Sequence, residues 1–337
     1  MRATIKDIAR EAGVSITTVS RVINGEEKGV GPLTRKKVLE VAKQLNYSPN
    51  HVARSLVMKK TQVIGVIIPD IINPFFPELI RGIEDVAAEA NYSIILCNSD
   101  GDDLKEKNYL TLLKDKGVDG IVYTGVHGIN EENATFLKQL DIPFVCLDRA
   151  FQDKNINCVS DDGVYGMYIA VKYLIEKGHK EIAYLSGSME TSTGKDRLEG
   201  YKKALKESKF EVCDKLIVEG NFDLESGSNG VLELLKRNSK YTAIACANDS
   251  IAIGAIAKLR ELNIQIPKQV SVVGYDDVQM AKLCCPPLTT IAQDKYGMGQ
   301  KTMQVLLKQI NNEYLKNEFI IIKSKLVKRD SVAKRGE

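Results

Sequence analysis

Four short clusters of polar and aromatic side chains follow apolar runs in this sequence: Asn73-Pro74-Phe75-Phe76, Asp148-Arg149, Asn248-Asp249 and Asp276-Asp277. These residue types suit a sugar. A pyranose has apolar C–H faces that stack on Phe and a rim of hydroxyls that needs donors and acceptors. Asp accepts, Arg donates and Asn does both. An unfilled polar partner in a dry cleft is costly, so such a set selects as well as holds. Other chemistries lack their residues. There is no GxGxxG or phosphate-binding P-loop and no GxSxG nucleophile motif. Nothing assembles a nucleophile, a base and an orienting group, so the chain does not read as an enzyme.

A second set is Thr17, Ser20, Arg21 and Asn24, spaced i, i+3, i+4, i+7 on one polar helix face without glutamates. Thr17 and Thr18 can meet thymine methyls and phosphates, and Arg21 can bond guanine O6 and N7 in bidentate fashion. Charge points the same way. Residues 1–60 hold 12 Lys+Arg against 5 Asp+Glu, and the remaining residues hold 35 against 39, so a net +3 hides a basic head on an acidic body.

The elements that must position these residues follow from periodicity. Thr4 opens a helix with Asp7 three residues on, like a capping box. Ile5, Ile8, Ala9 and Ala12 make one apolar face, and Gly13 ends it. Ser15 caps a second helix, with Val19, Val22 and Ile23 inward. A third turns Val38, Val41, Ala42 and Leu45 inward. Two short helices joined by Gly13-Val14-Ser15 match the helix-turn-helix, whose second helix lies in the major groove. The residues alone also allow a plain three-helix bundle that contacts proteins. Ser48-Pro49 starts a further helix of about two turns, too short to be stable alone.

From Val63 onward strand and helix patterns alternate: Val63–Pro69, Phe75–Asn91, Ser93–Asn98, a helix from Asp103, Asp119–Tyr123, a helix from Glu131 and Pro143–Asp148. After Asp161 come a helix to Lys177, Glu181–Ser186, a helix to Ser208, Lys215–Glu219, a helix to Lys236, Thr242–Cys246, a helix to Glu261 and Val270–Tyr275. Repeated βα units predict parallel sheets covered by helices, with ligands at the carboxyl ends of the strands. An echo between 113–125 (LKDKGVDGIVYTG) and 174–187 (LIEKGHKEIAYLSG) points to two similar halves.

The stretch TIKDIAREAGVSITTVSRVING, followed by LNYSPNHVARSL, resembles the LacI/GalR family of bacterial transcriptional regulators, and the similarity runs through nearly the whole chain. The resemblance implies an all-α helix-turn-helix domain at 1–47, a hinge helix or linker at 48–60, and an α/β core at 61–337 of periplasmic-binding-protein type. That core has two parallel-sheet subdomains, about 61–160 with 292–322 and about 161–291 with 323–337. It implies that Ile16, Thr17 and Arg21 read bases while Ser15, Thr18 and Asn24 hold the backbone. Thr4, Tyr47, Asn50 and Arg54 join the DNA-facing set. Leu56 becomes the wedge that enters a central base step, although Val57 stands where relatives often carry Lys. The residues alone leave a plain linker open there.

The core also resembles the periplasmic ribose-binding proteins. Motif by motif, that resemblance assigns ribose contacts to Asn73, Phe75, Phe76, Asp148, Arg149, Arg197, Phe222, Asn248, Asp276 and Gln293. Each has a plainer use: Phe75 and Phe76 as core, Asp148 as a helix cap, Arg197 as a surface ion pair. The expectation is a repressor of a sugar-utilisation operon, closest to the ribose-responsive branch, released from double-stranded operator DNA by ribose or a similar sugar and acting as a homodimer. A purine-sensing relative has Arg beside Thr in the 190–194 loop; here Thr191 and Thr193 stand without that Arg. A catabolite-control regulator with a phosphorylated carrier protein as co-effector is the alternative, and a sugar-transport protein a further one.

No apolar run reaches the roughly 18–20 residues of a membrane helix, and the N-terminus lacks a signal-type stretch, so a cytoplasmic protein is expected. Seven scattered cysteines without a CxxC pair read as reduced core filler, and His51, His127 and His179 give no metal spacing. No cofactor is expected.

Overall fold

The computed structural model describes residues 3–23, 25, 29–47, 60–125, 131–148, 156–313 and 318–335, with side chains omitted at 131–134. Asn24, Asn50, Arg54, Leu56 and Arg149, all among the expected site residues, lie outside the described residues. The chain divides into two compact units, Met1–Thr61 and Gln62–Glu337.

The first unit is helical. Helix α1 is Ile5–Ala12, α2 Ile16–Ile23 and α3 Pro32–Gln44. The Asp7 carboxylate accepts from the Thr4 backbone N–H at 2.9 Å and from its hydroxyl at 2.7 Å, closing the start of α1. The turn to α2 passes through Gly13, and Ser15 Oγ accepts from the Thr18 N–H at 3.1 Å. Ile8, Val19 and Val38, one from each helix, are fully buried at the centre, with Ala9, Ala12, Val22 and Ala42 around them. Burial of each large side chain stabilises by about 1.5–3 kcal/mol, which is how three marginal helices hold together. Ile5, Ile23, Val41 and Leu45 pack partly buried at the edge.

The second unit contains two six-stranded sheets with the same plan. Sheet one has β1 Val63–Ile68, β2 Ser93–Asn98, β3 Gly120–Tyr123, β4 Phe144–Leu147, β5 Cys158–Asp161 and β11 Phe319–Ile322, in the order β11-β5-β4-β3-β1-β2. Sheet two has β6 Ile182–Leu185, β7 Ile217–Val218, β8 Ala243–Cys246, β9 Ser271–Asp276, β10 Thr289–Ala292 and β12 Lys325–Val327, in the order β12-β10-β9-β8-β6-β7. All pairings are parallel except β10 with β12. The central strands are apolar throughout, as strands buried on both faces must be.

The helices are α4 Phe75–Glu89, α5 Asp103–Asp115, α6 Glu131–Gln139, α7 Gly163–Glu176, α8 Ser192–Glu207, α9 Leu224–Lys236, α10 Asp249–Glu261, α11 Gln279–Leu283 and α12 Lys295–Ile310. Helices α4 and α12 pack together on sheet one, and α7 lies against sheet two. The chain therefore crosses between the sheets three times: after Asp161, after Ala292 and after Ile322.

Two similar halves exist, but the echoed segments do not mark them. They end in β3 and β6. By sheet order β6 corresponds to β1, and β3 to β8. The echo is one of helix endings: Gly117 and Gly178 both take positive φ, 64° and 89°, where a glycine ends a helix before a strand.

Candidate functional site

A cavity of about 430 Å³ lies between the two sheets. It is built from the carboxyl ends of parallel strands, where such folds place ligands. Sheet one supplies Asp70, Asn73, Phe75 and Phe76 after β1, Asp100 and Gly101 after β2, and Asp148 after β4. Sheet two supplies Ser188, Glu190, Thr191, Thr193 and Arg197 after β6, Asn221, Phe222 and Asp223 after β7, Asn248 after β8, and Asp276 at the end of β9. Of the ten expected sugar-contacting residues, the structure brings eight together on this wall. Gln293 stands behind it, and Arg149 is the one outside the described residues.

Phe75 and Phe76 meet edge to face, with ring centroids 5.1 Å apart, and both also belong to the core of sheet one. Asn73 Oδ1 accepts from the Phe75 N–H at 3.0 Å, so this cavity-lining residue also fixes the start of α4. Asn248 caps α10: its Oδ1 accepts from the Ile251 N–H at 2.8 Å, and its Nδ2 donates to the Phe222 carbonyl at 3.1 Å. It thus ties the loop after β7 to the end of β8, across the intervening β6.

Arg197 is the electrostatic centre. It is 3% exposed. Its Nη1 donates to the Ala247 carbonyl at 2.6 Å, and its Nη2 lies 3.4 Å from Asp276 Oδ1. The guanidinium stacks 3.8 Å from the centroid of the Tyr275 ring, and Nε has no hydrogen-bond partner among the described residues. Burial works against its charge, but Asp276, then Tyr275, Asp161 and Asp148, override that and hold it protonated. The surface ion pair that sequence alone allowed is not what the fold makes of it.

Asp276 is pushed up to about 6, because burial outweighs the opposing help of Arg197, Lys295 and Gln293. Gln293 Nε2 donates to Asp276 Oδ1 at 2.7 Å. The backbone at Asp276 and Asp277 takes φ of 109° and 51°, a conformation that costs free energy. Lys295, itself buried, donates from Nζ to both carbonyls, at 2.6 and 3.2 Å, and helps hold it. Asp148, also at positive φ (67°), is anchored through its carbonyl by Ser160 Oγ at 3.0 Å.

Sequence reasoning missed the acidic rim of Asp70, Asp100, Glu190 and Asp223, and the supports Lys295 and Tyr275. Asp70 and Asp100 stand one and two residues past strand runs, close to the strand-end signal that exposed Asp148. Lys295 had no local signal.

In the first unit Ile16 (46% exposed), Thr17 and Arg21 share an outward face of α2, with Thr18 half-buried beside them. A Cβ at Gly29 would fall 2.9 Å from Arg21 Nη1, so the guanidinium lies close against that glycine. Ser15 Oγ and Thr18 Oγ1 are 2.9 Å apart. The Thr4 hydroxyl is engaged by Asp7, and Tyr47 packs half-buried against the three-helix core. Among the described residues no group of His, Cys, Asp and Glu could hold a metal, and no helix is long and apolar enough to cross a membrane.

Residues 4–50 match the family described as bacterial regulatory proteins, lacI family, and residues 61–330 match the periplasmic binding proteins and sugar binding domain of the LacI family. The chain is 41% identical over 332 residues to the HTH-type transcriptional regulator RegA of Clostridium saccharobutylicum, covering 98% of this chain and 99% of that protein. It is 40% identical to the catabolite control protein A of Priestia megaterium over the same shares. Among solved structures it resembles the Lac repressor dimer bound to operator and an anti-inducer (TM-score 0.89, 29% identity, 99% of this chain and 100% of that one). It also resembles an Enterococcus faecium LacI-family regulator with bound ribose (TM-score 0.73, 32% identity, 81% of this chain and 99% of that one).

Proposed function

The chain belongs to the LacI family of bacterial regulatory proteins, a ligand-controlled DNA-binding transcriptional regulator and not an enzyme, and we propose that it represses a sugar-utilisation operon and is released from its operator by ribose or a similar sugar. The observation that carries the sugar is Arg197: a buried cation on the cavity wall whose Nε lacks a partner among the described residues, paired with Asp276 in a lining that also holds Asp148, Phe75 and Phe76. A hydroxyl-rich ring with an apolar face satisfies that set. The ribose-bound relative from Enterococcus faecium supports the choice of sugar.

In this reading Asn73, Phe75, Phe76, Asp148, Arg149, Arg197, Phe222, Asn248 and Asp276 meet the sugar, and Gln293 orients Asp276. Ile16, Thr17 and Arg21 read base edges; Thr4, Ser15, Thr18, Asn24, Tyr47, Asn50 and Arg54 hold the duplex; Leu56 wedges its minor groove. Two chains form a homodimer, matching a pseudo-palindromic site, as the Lac repressor does on its operator. The protein works in the cytoplasm. Sugar between the sheets shifts their relative orientation and weakens DNA binding, a coupling for which about 1–3 kcal/mol suffices.

Titration calorimetry of the full chain against ribose, other pentoses, hexoses and purines tests the effector. A gel-shift titration then compares wild type with Arg197→Ala, which should keep operator binding and lose the sugar response. Retained induction in that variant would sink the site. The similarity to catabolite control protein A favours a second reading, with a phosphorylated carrier protein as co-effector. Tighter operator binding on adding that carrier, with no effect of any sugar, would select it.

A further inference from the structure

We propose that Tyr275 and Asp161 are positioning residues that tie Arg197, in the sugar site, to two of the three crossovers between the sheets. The inference rests on the sugar reading of the cavity and adds the route by which occupancy reaches the crossovers.

Tyr275 is fully buried on β9, one residue before Asp276. One face of its ring carries the Arg197 guanidinium at 3.8 Å. Its hydroxyl donates to Asp161 Oδ2. Asp161 is the last residue of β5, where the chain leaves sheet one for α7. The same oxygen accepts from Ser324 Oγ at 3.4 Å. Ser324 sits between β11 and β12, on the third crossover. Asp161 is also the register partner of Ile322, the last residue of β11, so the two exits from sheet one lie side by side.

A single carboxylate therefore holds two crossovers and a tyrosine whose ring supports the sugar-site arginine. Space enforces the arrangement: a Cβ at Gly166 of α7 would lie 2.1 Å from Tyr275 Oη, so the hydroxyl is pressed between α7 and Asp161. A ligand that pulls Arg197 toward the cavity alters its stacking on Tyr275, and the hydroxyl passes that change to Asp161. Packed interiors transmit such shifts because they do not deform continuously.

The test measures ribose affinity of the full chain with and without a saturating operator duplex. The ratio of the two is the coupling, typically about 5–150-fold in such systems. Tyr275→Phe, which keeps the ring and removes the hydroxyl, should bring the ratio to within about threefold of unity. Asp161→Asn keeps an acceptor and should restore most of the coupling; Asp161→Leu should not. A residue that only stabilised the fold would move the melting temperature and leave the ratio alone. Wild-type coupling in Tyr275→Phe overturns the relay; if that variant fails to fold, Ser324→Ala carries the same comparison.

A second arm needs no sugar. Amide hydrogen exchange at residues 322–325 should quicken in Arg197→Ala and in Tyr275→Phe relative to wild type. Unchanged exchange there in Arg197→Ala overturns the relay whatever the effector. Wild type that binds no ribose sinks the ribose reading instead, and the exchange result then decides the relay alone.

Discussion

Gly187 lies so close to the Phe222 ring that a Cβ on it would fall 2.3 Å from the ring Cζ. Gly187 follows β6, Phe222 follows β7, and the glycine gives the ring its seat at the cavity wall. An alanine there must push the ring away, since no real Cβ tolerates that distance. Overpacking costs about 1–3 kcal/mol, and the ring's partial exposure places this case near the low end. Gly187→Ala is therefore expected to lower the melting temperature slightly while weakening sugar binding about tenfold, or about 1.4 kcal/mol. Calorimetry that finds wild-type affinity would remove Phe222 from the binding surface.

Asp276 gives the protein a pH signature. Its folded pKa, about 6, lies above the ordinary carboxylate value of 3.8 because burial penalises the charge. The folded state therefore holds its proton more tightly than the unfolded chain. That contribution is full below the unfolded value and disappears as pH rises through about 6, so it falls between about pH 4 and 6. Asp276→Asn has no such proton. The melting temperature of the variant minus that of wild type should rise from pH 4 to pH 7, then level off. A difference that stays flat over that window would mean that Asp276 is ionised throughout.

The rim of the cavity carries Asp70, Asp100, Glu190 and Asp223, and among the described lining residues Arg197 is the only cation. Arg197 is already held by Asp276, and Asp100 takes Lys105 outside the cavity. A phosphate group would face carboxylates with little to neutralise it. At about 4 Å and an effective dielectric near 20 each such encounter costs about 4 kcal/mol before screening. Ribose 5-phosphate is thus expected to bind at least about tenfold more weakly than ribose by calorimetry. Equal or tighter binding of the phosphate ester would mean that cations outside the described residues dominate the rim.

Much of this was legible in the sequence for a definite reason. Strands such as Val63–Ile68 and Ser271–Asp276 are short apolar runs because both sheet faces are covered, and the polar clusters after them stand out by contrast. The part of the core after Asp276 was less readable. Thr289–Ala292 carries two buried threonines, and Phe319–Ile322 alternates exposed and half-buried residues. Their strand character comes from pairing with β9 and β5, partners distant in sequence in the second case, so no local window contains the cause. The supports of the site share this property. Lys295 matters because it meets the Asp276 carbonyl, and Asp161 because it meets Tyr275; neither meeting has a periodicity. Asn248 shows the converse: a residue picked for ligand chemistry caps a helix with its Oδ1 and holds the Phe222 carbonyl with its Nδ2.

Arg21 offers the sharpest test of the DNA-facing helix, because two roles for it differ in their readout. It shares the outward face of α2 with Ile16 and Thr17. If it reads a guanine, Arg21→Ala should cost about 1–3 kcal/mol on the cognate operator and flatten the preference at one base pair. Arg21→Lys should not restore that preference, because an ammonium lacks the planar fork that meets O6 and N7 together. If Arg21 instead met a phosphate, both variants would weaken every sequence alike, and the alanine variant would reduce the salt slope by about one. Gel shifts on operators substituted one base pair at a time, repeated at two salt concentrations, separate the outcomes. Base reading demands a loss confined to one position, with most of the salt dependence retained. A loss spread evenly over all positions would move Arg21 to the duplex backbone and leave Ile16 and Thr17 as the readers on this face.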